Sequence, residues 1–291
     1  MKASRTLIEL AVNYLIKKLE HILFIINAFV VPLINCRYFI LLINFLKIKQ
    51  IKMVNNARKK KDLTIIVPAL NEEGAIEKVV KELIDAGDQY LDNYEIIIFN
   101  DGSSDNTDKI VSHLASIFIK IRDIHYRESR GLSFIFQEGI NLAKFDNIAI
   151  IPGDGAFNIE GIRGLFKVIG LSDMVLSYRI NQKNARSPIR FFLTRAYFHI
   201  NNFIFKLDLK DINSIAVFPK NELKKIKFSS RNISFFLEII VTLVHKKISY
   251  TVVPMTLNPE NHTFGRSLSI RSFIDVVRVT YFLLYSTYVK R

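Results

Sequence analysis

Three polar turns in this sequence each follow an apolar, strand-like stretch, and their residue types could hold a phosphate and a metal ion. The segments run from Leu63 to Glu73 (LTIIVPALNEE), from Glu95 to Thr107 (EIIIFNDGSSDNT) and from Ile148 to Asn158 (IAIIPGDGAFN). Parallel strands end along one edge of an open sheet, and ligands bind beyond their carboxyl ends. Phosphates and divalent cations are bound by carboxylates, amides and free turn N–H groups. We therefore expect four side chains to meet at one edge: Asn71, Glu72, Asp101 and Asp154.

The elements that would position these turns alternate along the chain after Lys61. Apolar stretches predict strands at residues 63–67, 95–99, 121–126, 147–151 and 174–177, and later at 215–218 and 248–253. Helical spacing predicts helices after Glu72, after a cap at Ser103 or Ser104, and at 134–143, 159–169 and 235–245. This alternation is typical of an α/β fold with a mostly parallel sheet flanked by helices.

Two further segments have helical patterns with apolar surfaces of their own. Residues 191–205 form a helix that is apolar nearly all round, which predicts that it is either wholly buried or lies against lipid. The pattern of residues 273–288 predicts a basic amphipathic helix. A membrane-surface role and packing on the core with a solvated basic face both fit this C-terminal helix.

Composition limits the classes of protein that the chain can represent. Its 291 residues are 49% hydrophobic, enough for one domain of about 200 to 250 residues and an appendage. Residues 1–61 carry a net charge of +10 out of +14 in total. The basic character therefore lies mainly in the N-terminal part, which argues against a nucleic-acid partner for the folded body. The single cysteine, Cys36, excludes an internal disulfide and fits a reducing, cytoplasmic setting.

The N-terminal extension contains a long apolar segment from Ile22 to Leu46. About 20 apolar residues span a bilayer, although Pro32 and Arg37 interrupt this segment, so two shorter membrane-dipping helices fit equally well. The Lys and Arg residues that follow favour the cytoplasmic side of the membrane. The segment is too long for a signal peptide and lacks a small-residue cleavage site. A soluble helical appendage and a true start at Met53 are the open alternatives.

A resemblance to a known family rests on eight motifs that occur in the family's order. IVPALNEE, FNDGSSDNT, RGLSFIFQEGI and IIPGDGAFN are followed by LSYR, DINSIAVFPK, FFLEIIV and HTFGRS. Residues 62 to 270 of this sequence resemble a family 2 glycosyltransferase of the GT-A fold, in particular the polyprenyl-phosphate glycosyltransferases such as dolichol-phosphate mannose synthase. The resemblance implies a GT-A domain at 62–265, between the extension at 1–61 and a C-terminal helix at 266–291.

The resemblance assigns the first motifs to a nucleoside diphosphate sugar. It implies that this donor is bound by six residues: Pro68, Asn71, Glu72, Asp101, Gly131 and Arg179. Asn71 could instead be a helix cap, and for Asp105 a capping role is the preferred interpretation.

The third turn resembles the DxD motif that holds Mg²⁺ or Mn²⁺ against the donor diphosphate. Asp154 occupies the second Asp, whereas Pro152 replaces the first and Ala156 replaces a Gln that often assists. A single carboxylate with diphosphate oxygens and waters can still hold Mg²⁺. We expect a weakly held metal at Asp154, with Arg179 and Arg266 sharing the charge. A turn with a capping Asp is the alternative.

The acceptor side is implied by the later motifs. Arg190, Thr194 and Arg195 resemble a cluster near the lipid phosphate. In the segment that resembles the family's RxxGxS, His262 stands where the family has Arg, Arg266 follows four residues later and Ser267 keeps the Ser. A structural or surface role is the alternative for His262. A polyprenyl phosphate is already anionic and needs no general base. A sugar hydroxyl would need one, for which Asp211 and Glu238 are the candidates. Asp211 could equally be the structural partner of a nearby Arg.

The predicted function is a membrane-associated, cytoplasmic-facing glycosyltransferase that moves a sugar from a nucleoside diphosphate to a polyprenyl phosphate. The resemblance implies that the transfer inverts the anomeric carbon. Two rival predictions stay open at this point. One is transfer to a hydroxyl of a glycan or glycolipid, and the other is a pseudoenzyme that binds nucleotide sugar without turnover.

Overall fold

The computed structural model describes residues 60–182, 188–230, 234–258 and 278–285. The apolar N-terminal segment lies outside these ranges, so the membrane anchor and the domain boundaries stay predictions. His262, Arg266 and Ser267 also lie outside them. Of the predicted C-terminal helix, only residues 278–285 are described.

The described residues form a seven-stranded sheet with the order β3-β2-β1-β4-β6-β5-β7. Its strands are β1 (Asp62–Ala69), β2 (Asn93–Asp101), β3 (Ile121–Tyr126), β4 (Asn147–Ile150), β5 (Met174–Arg179), β6 (Ala216–Pro219) and β7 (Tyr250–Met255). The strand pairs are parallel except those of β6, which runs antiparallel to both β4 and β5. All the strands predicted from the sequence are confirmed.

Helices cover both faces of the sheet. They are α1 (Ile76–Tyr90), α2 (Thr107–Ile117), α3 (Leu132–Leu142), α4 (Ile159–Lys167), α5 (Pro188–Phe205), α6 (Lys220–Leu223) and α7 (Phe235–His245), and residues 278–284 are also helical. Alternate strand residues point to opposite faces. One face packs against α1, α2 and α4, and the other against α3, α5, α7 and residues 278–285. The predicted α/β architecture is therefore confirmed.

The start of α2 corrects one sequence-based prediction. Ser103 and Ser104 do not cap this helix, which begins at Thr107. Both serines instead hydrogen-bond Asn71 in the first turn. Asp105 is not the N-cap either, because that position is Asn106, whose side chain makes no capping hydrogen bond. Asp105 Oδ1 nevertheless accepts from the backbone N–H of Thr107, the first residue of the helix, at 3.0 Å. The two serines thus make hydrogen bonds to a residue more than 30 positions earlier in place of the capping hydrogen bond that local rules predict.

The antiparallel strand β6 determines which residues reach the carboxyl edge of the sheet. Strands β1, β2, β4, β5 and β7 all end at this edge, whereas β6 begins there. The segment before β6, which contains Asp211, is therefore at the same edge as Arg179 at the end of β5. In the described part of the chain, no helix combines the length and the apolar character needed to cross a bilayer.

Candidate functional site

The first two turns are joined by the side chain of Asn71. Its Oδ1 accepts from the backbone N–H of Ser104 at 2.8 Å and from the Ser104 hydroxyl at 3.2 Å. Its own N–H donates to Ser103 Oγ at 3.0 Å. Asn71 has a positive φ of 58°, a conformation that Asn tolerates better than most residues. The side chain predicted to bind the donor therefore also orders the turn after β2.

The residues after Asn71 extend this connection to the start of α2. The N–H of Glu72 donates to Thr107 Oγ1 at 2.8 Å, and Glu73 Oε2 accepts from the N–H of Asn106 at 2.9 Å. Asp105 Oδ2 accepts from the N–H of Glu73 at 3.2 Å. Partial burial tends to raise the pKa of Asp105, but hydrogen bonds from Thr107 and Glu73 lower it below its ordinary value. The two turns thus form one hydrogen-bonded unit with Asp105 ionised.

Asp101, at the end of β2, organises the loop before α3. Its Oδ1 accepts from the N–H of Arg130 at 2.6 Å, and its Oδ2 accepts from Ser129 Oγ at 2.7 Å and from the N–H of Gly131 at 3.1 Å. The side chain is buried. The structure therefore brings Gly131 and Asp101, both predicted to bind the donor, into direct contact.

Gly102 allows this loop to approach closely. Its φ is +78°, and a Cβ there would lie 2.8 Å from backbone atoms of Glu128 and Ser129. Only glycine satisfies both conditions without a shift of the backbone.

The third turn lies directly beside the first. The N–H of Gly153 donates to the carbonyl of Pro68 at 3.0 Å. A Cβ at Gly153 would lie 2.5 Å from Ile76 Cδ1 and 3.3 Å from the carbonyl oxygen of Pro68, so a larger residue would require the Ile76 side chain to move. Asp154 Oδ1 accepts from the N–H of Ala156 at 2.9 Å, which shapes the turn. Asp154 is therefore at the same edge as Pro68 and Asn71, as expected.

The chain beyond β7 fixes the other side of the third turn. The N–H of Asn258 donates to the carbonyl of Ala156 at 2.9 Å, and Asn258 Nδ2 donates to the carbonyl of Gly155 at 2.9 Å. Asn158 Nδ2 also donates to Asn258 Oδ1 at 3.2 Å. This contact to Asn258 was not predicted, because 100 residues separate the two asparagines.

Arg179 and Asp211 form a buried ion pair at the same edge. Asp211 accepts six hydrogen bonds, three of them from Arg179 and the others from Gln182, Ile212 and Asn213. Burial tends to raise the pKa of Asp211, but the hydrogen bonds and positive charge of Arg179 hold it below its ordinary value. Of the two predicted roles for Asp211, the geometry favours the structural partner of an Arg.

Glu238, in the first turn of α7, is buried and accepts hydrogen bonds from the Ser229 hydroxyl and backbone N–H and from the Ser230 N–H. The carbonyl of Ser230 in turn accepts from Ser133 Oγ at 2.7 Å. Because Ser133 is in the first turn of α3, Glu238 is linked to the loop that Asp101 organises. Its contacts are those of a residue that positions a loop.

The predicted acceptor residues are described only in part. Arg190, Thr194 and Arg195 lie on α5, near its beginning. Thr194 is half-buried, whereas Arg195 is exposed and lies over the ring of Phe198, with 5.8 Å from Cζ to the centroid. Whether these residues reach the donor edge stays a prediction.

The donor set for a metal consists mainly of Asp154. Within the ranges that the structure describes, no group of three or more His, Cys, Asp or Glu side chains could hold a metal ion. Mg²⁺ usually keeps several waters and binds one or two carboxylates together with substrate phosphates. The residues present therefore fit an ion whose ligands come largely from a bound diphosphate.

Comparison with known proteins adds a family match. The model for glycosyl transferase family 2 matches residues 64–221. Two relatives from Trichomonas vaginalis are dolichyl-phosphate beta-glucosyltransferases. ALG5A is 28% identical over 148 residues, which are 45% of this chain and 45% of the relative. ALG5C is 25% identical over 239 residues, which are 74% of this chain and 70% of the relative. The chain thus spans less than half the length of the first of these relatives.

Solved structures match the fold. Glucosyl-3-phosphoglycerate synthase from Mycobacterium tuberculosis, in complex with Mn²⁺, UDP and glucosyl-3-phosphoglycerate, aligns with a TM-score of 0.53 and 14% identity over 82% of this chain and 83% of that one. A structure of the same enzyme with Mg²⁺ and UDP aligns with a TM-score of 0.56 and 14% identity over 82% of each chain. These likenesses confirm the predicted GT-A fold.

Proposed function

Because this chain belongs to glycosyl transferase family 2, we propose that it transfers a hexose from a nucleoside diphosphate sugar to a polyprenyl phosphate at a membrane surface. The main support for a nucleoside diphosphate sugar as donor is the set of hydrogen-bonded strand-end turns, which brings Asn71, Asp101 and Asp154 to one edge of the sheet. Names of relatives that act on dolichyl phosphate support the acceptor half.

In this proposal the turns bind and orient the donor. Glu72 and Asp101 are near the base and ribose, and the loop that Asp101 holds presents Gly131. Asp154 faces the diphosphate. Rigid turns of this kind preorganise the site, so that little reorganisation is needed when charge develops on the leaving group.

The transfer step forms a bond between an acceptor phosphate oxygen and the anomeric carbon of the sugar. The bond from that carbon to the diphosphate oxygen breaks, and the nucleoside diphosphate leaves with the electron pair. In-line attack inverts the anomeric carbon. A divalent ion held at Asp154, when bound, would supply charge stabilisation to the leaving diphosphate. Arg266 is proposed to add positive charge on the same side, whereas the charge of Arg179 is balanced by its buried pair with Asp211.

The state of the two candidate bases supports a phosphate acceptor over a hydroxyl. Asp211 accepts six hydrogen bonds and has a lowered pKa, so it is a weak base. Glu238 is buried and engaged by Ser229 and Ser230. A phosphate that is already anionic needs neither of them to remove a proton.

The acceptor phosphate is proposed to bind Arg190, Thr194 and Arg195 together with His262, Arg266 and Ser267. Arginine suits this role, because its planar guanidinium binds phosphate through two parallel hydrogen bonds. We propose that the chain is membrane-associated, since this acceptor is a membrane lipid, and that its catalytic domain is in the cytoplasm.

The test incubates the purified full-length protein in detergent with labelled nucleotide sugars, polyprenyl phosphate and Mg²⁺ or Mn²⁺, and measures labelled lipid. We expect lipid product from wild type, a loss of about 100-fold or more for Asp154→Asn, and full activity for the matched control Asp85→Asn on the exposed surface of α1.

Three results would contradict parts of the proposal. Equal activity of Asp154→Asn and wild type would exclude the metal assignment. Product only with glycan acceptors would replace polyprenyl phosphate by a hydroxyl. Binding of a nucleoside diphosphate with no turnover of any donor would indicate a pseudoenzyme.

A further inference from the structure

The outward side of α5 carries four exposed apolar side chains. Phe192 is 71% exposed and Phe203 86% exposed, and Leu193 and Ile200 are also exposed; we name these four residues the apolar face of α5. The opposite side of the helix buries Phe198 and Phe205 in the core. The helix that the sequence predicts to be wholly buried or against lipid is therefore buried on one side only.

The C-terminal helical segment repeats this arrangement. Val279 and Leu283 are buried in the same core as Phe198 and Phe205, whereas Tyr281, Phe282 and Tyr285 are exposed. Both helical segments cover the same face of the sheet, so both exposed sets point away from that face. Single exposed apolar residues are ordinary on protein surfaces, but a group on two helices indicates an interaction surface.

The charge around these residues is positive. Neither α5 nor residues 278–285 contain Asp or Glu. Arg195 and Arg278 are exposed within these segments, and Lys206 and Lys210 are exposed just beyond α5, with Asp208 between them. Aromatic side chains beside Lys and Arg are typical of helices that lie in the boundary between lipid headgroups and acyl chains.

The chain connects α5 to the site edge at both ends. Gln182, which hydrogen-bonds Asp211, precedes the first residue of α5 by six positions. Asp211 itself follows the last residue of the helix by six positions. Short segments of chain therefore connect both ends of α5 to the Arg179–Asp211 pair.

We propose that the apolar face of α5, together with Tyr281, docks this domain onto an anionic lipid bilayer. The outward aromatic residues enter the headgroup boundary and the flanking cations contact anionic headgroups. Docking in this orientation would present the lipid phosphate from the membrane next to the carboxyl edge of the sheet. This last point rests on the proposed function, but the docking itself does not.

The test uses the full-length protein with Cys36→Ser and a single new cysteine labelled with an environment-sensitive fluorophore. The labelled positions are Phe203→Cys and Tyr281→Cys, with Ile119→Cys as the matched control. Ile119 is 101% exposed and lies just before β3, at the amino end of that strand and therefore on the side of the sheet opposite the carboxyl edge. The probe is a vesicle of phosphatidylcholine and phosphatidylserine, prepared with and without bromine in the acyl chains.

We expect vesicles to shift the emission of the labels at 203 and 281 to the blue and brominated lipid to quench them several-fold, with no change for the label at 119. Equal quenching at all three positions, or none at 203, would overturn the proposal. A label at 203 that is already shielded without lipid would also overturn it, because another part of the chain or a second copy would then occupy this face. The readout does not involve turnover, so an inactive enzyme would leave it unaffected.

Discussion

Arg179 and Asp211 meet through two short hydrogen bonds inside the protein, with 2.6 Å from Nε to Oδ2 and 2.7 Å from Nη2 to Oδ1. Arg179 ends β5, and Asp211 lies in the segment that leads into β6. Both side chains are almost fully buried. The pair therefore joins the end of β5 to the segment before β6, at the edge of the sheet where the proposed reaction takes place.

Removal of Asp211 should destabilise the fold. Asp211→Ala leaves the Arg179 guanidinium buried without its partner, which is expected to lower the free energy of unfolding by about 3–5 kcal/mol. Urea unfolding followed by circular dichroism measures this change. The matched control Glu77→Ala removes the exposed pair with Lys81 on α1 and should have a far smaller effect, because water solvates both groups. Similar losses in the two variants would argue against a structural role for the buried pair.

The stability contributed by Asp211 should depend on pH. Its pKa in the folded protein is below the ordinary value of 3.8, because the hydrogen bonds and charge of Arg179 outweigh burial. The ionised carboxylate therefore stabilises the fold above the unfolded pKa, and this contribution is lost as the pH falls toward the folded pKa. Between about pH 5 and pH 2, wild type should lose more free energy of unfolding than Asp211→Asn. Parallel curves for the two proteins would contradict this prediction.

Gly102 and Gly164 should respond oppositely to the same substitution. Gly102→Ala places a Cβ 2.8 Å from backbone atoms at a φ of +78° and should destabilise the fold by about 1–3 kcal/mol. Gly164 lies inside α4 with nothing within 4 Å of a new Cβ, so Gly164→Ala should stabilise by about 0.5–1 kcal/mol. Thermal unfolding compares the two variants. A neutral Gly102→Ala would mean that the loop at residues 128–131 adapts freely.

Asn71 should affect donor binding through the order of the second turn. Asn71→Gly keeps the left-handed backbone but removes the hydrogen bonds to Ser104, so the KM or Kd for the nucleotide sugar should rise several-fold. Asn71→Ala removes the same bonds and adds backbone strain. Its free energy of unfolding should therefore be lower than that of Asn71→Gly by about 1 kcal/mol. Calorimetric titration and thermal unfolding separate the two effects. Unchanged donor affinity in Asn71→Gly would show that the contacts with Ser104 do not shape the site.

The elements were predictable because their signals are local. Alternation and apolar runs predicted every strand, and the boundaries of α7 agree with residues 235–245. The start of α2 was not predictable in the same way, because Ser103 and Ser104 are good capping residues by local rules. Their actual partner, Asn71, lies more than 30 positions earlier in the chain.

The sequence predicted which residues lie in the candidate site better than it predicted what each of them does there. Because parallel strands end at one edge of a sheet, we expected Asn71, Asp101 and Asp154 to lie together. The structure confirms that they lie at the same edge. The sequence contained no comparable signal for Ser129, Thr107 or Asn258, which hold the turns in place. Each is an ordinary polar residue whose partner is distant along the chain.

The sequence by itself determined the strands, the order of the motifs and the residue types at the strand ends, since each depends on neighbouring residues. The tertiary structure decided the pairing of Arg179 with Asp211, the loop held by Asp101 and the half-buried state of α5. Those features depend on the antiparallel insertion of β6 and on which helices cover each face of the sheet. Hydrogen bonds and burial between distant segments arise only after the strands have paired, which is why local patterns do not predict them.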